Sequence, residues 1–161
     1  MSKVNVVIIM GSKSDFEHAQ TIMEEAKKFG LTVAVHIGSA HKTAHHLLSI
    51  LDKYESENQA KVYITIAGRS NALSGFVDGY VTAPVIACPP ISSSYGGADI
   101  FSSLRMPSGV APAVVLEPKN AALLAAKILS LNDATIAQKV RAYKKEQVKQ
   151  IITADQEINE Q

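Results

Sequence analysis

The residues best suited to chemistry lie in one short stretch, residues 38–43, with the sequence GSAHKT. The stretch follows an apolar run of β-forming residues and precedes a helical pattern that Thr43 can cap. A strand, a tight turn of small residues and a helix start together direct backbone N–H groups towards an anion. Because the turn also carries the hydroxyl of Ser39, the imidazole of His41 and the ammonium of Lys42, it could bind a phosphate and move a proton at one place.

His41 is the candidate for acid–base catalysis. Histidine changes protonation near neutral pH, which suits proton transfer, and His41 lies at a helix entrance beside Lys42. A lone histidine more often has a structural role, but this position favours function. A metal site is not expected, because Thr43 as the cap leaves His41 outside the helix that carries His45, and no zincin motif or cysteine pair supplies a further ligand.

Two other turns carry polar residues after an apolar run. Residues 11–15 (GSKSD) lack the glycine patterns of ATP and dinucleotide sites, yet they could hold one phosphate, with Asp15 accepting hydrogen bonds from sugar hydroxyls. Alternatively, Ser14 and Asp15 only cap a helix. Residues 68–71 (GRSN) place Ser70 like a hydrolase nucleophile without the second glycine of that motif. Ser70 and Asn71 could instead donate hydrogen bonds to the oxygens of a small electrophile.

The elements that must position these turns alternate regularly along the chain. Strands are predicted at 4–10, 31–37, 62–67, 85–88 and 113–116, and helices at 15–29, 43–57, 72–80, 99–105, 118–131 and from 132 onward. This alternation predicts a three-layer α/β sandwich with a doubly wound, five-stranded parallel sheet of the flavodoxin-like kind. Ligands bind beyond the carboxyl ends of such strands, so the turns should border one pocket.

Local signals predict further details. Ser14 and Glu17 have the spacing of a capping box for the first helix, and Asp99 can cap the short helix at 99–105. The low-complexity segment at 92–97 (SSSYGG) is predicted to be a mobile loop that could close over a ligand. Cys88, next to two prolines, is most simply a buried strand residue.

Composition limits the class of protein. The 161 residues predict a single domain, with a core at about 4–131 and a helical extension at about 132–161. The net charge of +1 does not indicate a basic surface for binding nucleic acid or an anionic membrane. One cysteine, no signal peptide and no membrane-spanning run predict a cytoplasmic protein. The apolar residues of the last two helices exceed what one small sheet must cover, which predicts packing on neighbouring subunits.

Five motifs occur in order between about residues 4 and 131, namely GSKSD at 11–15, SAHKT at 39–43, AGRSN at 67–71, CPP at 88–90 and SSLRMPSG at 102–109. With these motifs the chain resembles the PurE family, the carboxylases of purine biosynthesis that act on aminoimidazole ribonucleotide (AIR). The family's bacterial mutase typically has His-Arg in place of His41-Lys42 and Gly-Ala-Gly-Gly in place of residues 68–71. In both places this chain is similar to the class II AIR carboxylase, which uses CO2.

The resemblance therefore implies reversible carboxylation of AIR at C4 by CO2, giving 4-carboxy-AIR (CAIR), with no ATP, biotin, metal or other cofactor. The alternative within the family is the N5-carboxy-AIR mutase. Remote alternatives are a serine hydrolase using Ser70 and a non-catalytic sugar-phosphate-binding module. The resemblance also implies a homo-oligomer, an octamer or else a tetramer.

The resemblance also implies roles at the matching positions. His41 would handle the proton, with Gly68 near the substrate and Ser70 at the CO2 site. The ribose phosphate would be bound by Ser12, Asp15, Ser39 and Lys42, and Asn71 completes the predicted substrate-binding set. The chemistry agrees, because C4 of an aminoimidazole is enamine-like and can attack CO2 directly. A base must then remove the C4 proton to restore aromaticity, and His41 is the plausible base among these turns.

Overall fold

The five strands form one parallel sheet. The structure, a computed structural model, describes residues 3–160 and contains β1 (Val6–Met10), β2 (Val33–Ile37), β3 (Val62–Ile66), β4 (Val85–Ala87) and β5 (Ala113–Val114). Their order across the sheet is β2-β1-β3-β4-β5, and every pairing is parallel. This is the doubly wound, flavodoxin-like order, so the predicted fold class is confirmed. The strands are shorter than predicted, most clearly β5.

Helices cover both faces of the sheet. Within residues 3–160 they are α1 (Phe16–Lys28), α2 (Ala44–Glu55), α3 (Leu73–Asp78), α4 (Phe101–Leu104), α5 (Pro118–Leu129) and α6 (Ala134–Asn159). Successive side chains of a strand point to opposite faces. Thus Val6 and Ile8 of β1 join the core beneath α1, α5 and the start of α6, whereas Val7 and Ile9 join the core beneath α2 and α3.

The strands β1, β2 and β3 end level with one another. Met10 pairs with Ile37 on one side and with Ile66 on the other. Two backbone hydrogen bonds continue this alignment beyond the strands, from Gly11 N–H to the carbonyl of Ile66 and from Gly38 N–H to the carbonyl of Met10, both 2.9 Å long. The turns after all three strands therefore leave the sheet at the same edge.

Two predicted helix caps are wrong. The capping residues before α1 are Ser12 and Asp15 rather than Ser14 and Glu17, because Asp15 Oδ2 accepts hydrogen bonds from the N–H and the hydroxyl of Ser12, at 3.1 and 3.3 Å. Residues Lys13–Asp15 consequently wind as a 3₁₀ turn, and α1 begins at Phe16. Asp99 does not cap α4, because its carboxylate accepts a hydrogen bond from the backbone of another turn.

The final helix, α6, changes character along its length. Asp133 caps it by accepting hydrogen bonds from the N–H groups of Thr135 and Ile136, at 2.8 and 3.0 Å. Its first turns pack on the core, where Tyr143 meets Phe29 edge-to-face at a centroid distance of 5.3 Å. Further along, its apolar side chains are exposed, namely Val148, Ile151, Ile152 and Ile158.

No helix within residues 3–160 is both long and apolar enough to span a bilayer.

Candidate active site

A cavity of about 510 Å³ lies at the edge of the sheet where β1, β2 and β3 end. Its walls come from the turns after these three strands and from the segment after β4. The predicted site residues that line it are Ser12, Asp15, Ser39, His41, Lys42, Gly68 and Ser70. The alignment of the strand ends thus brings together every predicted site residue except Asn71.

The turn that carries His41 is closed by its own hydrogen bonds. Ser39 N–H donates to Thr43 Oγ1, and Thr43 N–H donates to the carbonyl of Ser39, both at 2.9 Å. Thr43 lies at the N-cap position of α2 as predicted, but its hydroxyl binds the turn rather than a helix N–H. Ser39 N–H is therefore not free to bind an anion, whereas the first-turn N–H groups of α2 have no intrahelical partner. His41 and Lys42 remain exposed.

The turn after β1 is held by its own hydrogen bonds and also borders the cavity. Asp15 organises the turn through its bonds to Ser12, and both residues also line the cavity. Ser14 Oγ lies 2.5 Å from Ser12 Oγ, so the hydroxyls of this turn form one hydrogen-bonded group. A carboxylate accepts several hydrogen bonds, so Asp15 retains capacity for a sugar hydroxyl.

Asn71, which was predicted to complete the substrate-binding set, does not line the cavity. The residue is buried, and its side-chain amide donates to Ser103 Oγ at 2.9 Å. Its Oδ1 accepts a hydrogen bond from the N–H of Ser74 at 3.2 Å, near the start of α3. Both ends of the side chain are thus used inside the protein, and Asn71 anchors the turn that carries Ser70.

The cavity also has four polar lining residues that were not among the predicted site residues, namely Ser14, Arg69, Ser92 and Ser94. Arg69 lies inside the GRSN turn, and its positive charge could have marked it in the sequence as a residue of the cavity wall. Ser92 and Ser94 belong to the segment that was predicted to close over a ligand. Here that segment forms a kinked 3₁₀ stretch, Ser94–Ile100, in which Gly96 and Gly97 have φ of 62° and 81°.

A second, smaller cavity of about 230 Å³ adjoins the first. It shares Gly68, Pro90 and Ser92 with the larger cavity, and its other walls include the apolar side chains of Ile91 and Leu116. This cavity is therefore a mainly apolar space beside the polar one. A small uncharged molecule with few hydrogen-bonding groups would suit it.

Cys88 lies behind this site as a neutral thiol. Its Sγ is 3.3 Å from Nε2 of His18, and the residue is fully buried, as predicted. Burial raises the pKa of the Cys88 thiol to about 12, and burial lowers the pKa of the His18 imidazole. The pair therefore does not form the thiolate that a cysteine nucleophile requires.

Among the described residues, no hydrogen bond joins Ser70 to a histidine, so a serine triad has no support.

The chain is similar to known proteins over nearly its whole length. Residues 5–150 match the family model described as AIR carboxylase. A Treponema denticola protein named phosphoribosylaminoimidazole carboxylase is 60% identical over 153 residues, which cover 95% of this chain and 96% of that protein. An Archaeoglobus fulgidus protein of the same name is 50% identical over 155 residues, covering 96% of this chain and 85% of that protein.

Solved structures give the same result. A crystal structure of Treponema denticola PurE superposes on this chain with a TM-score of 0.94 at 59% sequence identity. The superposition covers 96% of this chain and 98% of that one. The similarity therefore extends over the sheet, the turns around the cavity and most of α6.

Proposed function

The chain belongs to the AIR carboxylase family, and we propose that it carboxylates AIR at C4 with CO2 to give CAIR in purine biosynthesis. The observation that carries this proposal is that one cavity collects Ser12, His41 and Ser70 from three separate turns. The names of the relatives from Treponema denticola and Archaeoglobus fulgidus support the same reaction. The Lys42 and Ser70 positions, where the chain resembles the class II branch, support CO2 as the carboxyl donor.

His41 is the proposed base. The electron pair of the AIR enamine forms the bond from C4 to the carbon of CO2, which leaves C4 tetrahedral and still bearing its hydrogen. Loss of that proton returns the C–H electron pair to the ring and restores aromaticity. Of the described residues that line the cavity, His41 alone carries an imidazole, and it is exposed to the cavity at the entrance to α2.

The remaining residues would bind and orient the substrates. The ammonium of Lys42 and the first-turn N–H groups of α2 are suited to the phosphate, with Ser12 and Ser39 as hydroxyl donors. Asp15 would accept hydrogen bonds from the ribose. Gly68 borders both cavities, and the apolar one, which adjoins the cavity lined by Ser70, offers CO2 a space with little competing water.

A substrate test separates this reaction from its alternatives. Purified enzyme is given either AIR with CO2 or the N5-carboxylated nucleotide, without ATP, and both substrates and CAIR are followed. We expect AIR consumption and CAIR formation, with a faster start from CO2 than from bicarbonate when carbonic anhydrase is absent. Rapid conversion of the N5-carboxylated nucleotide would instead identify a mutase. Binding of AIR without turnover would identify a binding module, and labelling of Ser70 by a fluorophosphonate would identify a hydrolase.

We also propose that the chain forms a homo-oligomer, an octamer with a tetramer as the alternative. The exposed apolar residues of α6 support this, since Ile151 and Ile158 are 74% and 73% exposed in the single chain. Light scattering should give a multiple of the monomer mass. Ile151→Glu should lower it, whereas Lys149→Glu, at an exposed polar position of the same helix, should not. A monomer for the unaltered protein would contradict the proposal.

The same proposal includes the domain organisation and the location of the protein. We propose that the chain forms one AIR carboxylase domain, with its core at about 4–131 and the extension at about 132–161. Its location is taken as the cytoplasm, which suits the free thiol of Cys88. Cell fractionation with an antibody against the native protein tests the location.

A further inference from the structure

Arg69 has a backbone conformation that its own side chain does not explain. Its φ is 58°, in the left-handed region, where a residue with a Cβ is crowded against its neighbouring carbonyl. Arg69 is exposed, and among the described residues its guanidinium makes no hydrogen bond. Something outside the residue must therefore hold this conformation.

The contacts that hold it come from a segment about 30 residues later in the chain. Arg69 N–H donates to Asp99 Oδ2 at 3.2 Å. Ser102 Oγ accepts a hydrogen bond from Asn71 N–H at 2.9 Å, and its single hydroxyl proton has two acceptors within reach, the carbonyl of Asp99 at 2.7 Å and the carbonyl of Arg69 at 3.0 Å. The backbone is thus held by hydrogen bonds on both sides of Ser70, and Ser70 itself lines the cavity.

We propose that Asp99 and Ser102 are positioning residues that hold Arg69 in the left-handed conformation and so fix Ser70 in the cavity. Because Ser70 directly follows Arg69, a return of Arg69 to negative φ would swing Ser70 away. Asp99 also belongs to the 3₁₀ stretch Ser94–Ile100, and Ser94 and the nearby Ser92 line the same cavity. The hydrogen bond from Arg69 to Asp99 therefore couples the position of Ser70 to the 3₁₀ stretch Ser94–Ile100, which forms part of the cavity wall. The kinetic predictions that follow rest on the proposed carboxylation of AIR.

The first test removes single contacts. Ser102→Ala should lower kcat about tenfold, because the turn loses its bias towards the left-handed form. The KM for AIR should change less than about twofold, because the Ser12 and Lys42 turns are untouched. Asp99→Ala should behave like Ser102→Ala, whereas Asp99→Asn should retain most of the activity, because an amide oxygen still accepts from Arg69 N–H. Ser108→Ala, an exposed serine outside these contacts, is the matched control.

The second test uses the conformational freedom of glycine. Glycine adopts positive φ without strain, so it needs no external restraint. When residue 69 is glycine (Arg69→Gly), the further change Ser102→Ala should lower kcat by less than about threefold. When residue 69 is alanine (Arg69→Ala), the same change should lower kcat by about tenfold or more. Both backgrounds lack the same guanidinium, so the comparison isolates the backbone effect. Equal costs in the two backgrounds would overturn the proposal.

A third measurement is independent of catalysis. Hydrogen exchange at the amides of residues 69 and 71 should speed up in Ser102→Ala and Asp99→Ala but not in Ser108→Ala. If the unaltered enzyme fails to carboxylate AIR, the proposed function fails, and the exchange rates alone decide whether the restraint exists. Unchanged exchange in both variants, or a rise in KM at constant kcat, would overturn the positioning role.

Discussion

Thr43 Oγ1 accepts a hydrogen bond from Ser39 N–H at 2.9 Å and so closes the turn that carries His41 and Lys42. The backbone closes the same turn, because Thr43 N–H donates to the carbonyl of Ser39 at 2.9 Å. The imidazole and the ammonium are therefore presented from a turn that is already ordered. An ordered site loses less conformational entropy when it binds its substrate.

Thr43→Val tests the importance of this closure. Valine keeps the shape of threonine but lacks the oxygen, so the KM for AIR should rise about fivefold, as expected for loss of one net hydrogen bond. Thr43→Ser retains the acceptor and should stay close to the unaltered enzyme. Steady-state kinetics with both variants provide the measurement, and equal behaviour of valine and serine would show that the hydrogen bond does not matter.

His41→Asn tests the proposed base. Asparagine can still form hydrogen bonds but cannot take the C4 proton, so kcat should fall at least ~10²-fold. AIR affinity, measured by calorimetry, should remain within about threefold, because the phosphate contacts remain. The control is His45→Asn on the exposed surface of α2, which should have nearly normal kinetics. Near-normal turnover of His41→Asn would refute the assignment.

Cys88 should be inert in the folded protein. Its thiol is buried, and burial raises its pKa to about 12, so almost no thiolate exists near neutral pH. A thiol-reactive chromophore at about pH 8 should therefore label native protein far more slowly than urea-unfolded protein, which should take up one equivalent. Cys88→Ala gives the blank. Rapid labelling of the native protein would contradict the burial.

Stability should decline on mild acidification because of two partly buried histidines. Burial lowers the pKa of His36, and the nearby Lys53 and His46 lower it further, while burial also lowers the pKa of His18. The unfolded chain then binds protons more readily than the folded one. The stability contributed by these neutral imidazoles is complete above about pH 6.5 and is lost as pH falls through the lower folded values.

Urea unfolding between about pH 5 and 7.5 measures this dependence. His36→Gln should reduce the slope of unfolding free energy against pH, and glutamine can still bond to Tyr54 Oη, which lies 2.8 Å from His36 Nε2. His45→Gln, at an exposed position, should leave the slope unchanged. A slope that is identical in all three proteins would show that His36 does not carry the effect.

The sequence alone determined the sheet and the edge at which chemistry would occur. Runs of β-branched and aromatic residues such as residues 62–66 mark buried parallel strands, and regular alternation with helices restricts the connections between them. Because parallel strands end at a common edge, the polar turns after β1, β2 and β3 had to meet there. The convergence of Ser12, His41 and Ser70 on one cavity followed from strand order without any knowledge of side-chain contacts.

Only the tertiary structure decided what each polar side chain does at that edge. Periodicity reports which face a residue shares with its near neighbours in sequence, whereas Asn71 turned inward because Ser103, on a distant segment, offered a partner. Likewise, Asp99 had the features of a helix cap, but its carboxylate binds the N–H of Arg69. Local propensities differ by small free energies, and a hydrogen bond supplied by a distant part of the chain is enough to override them.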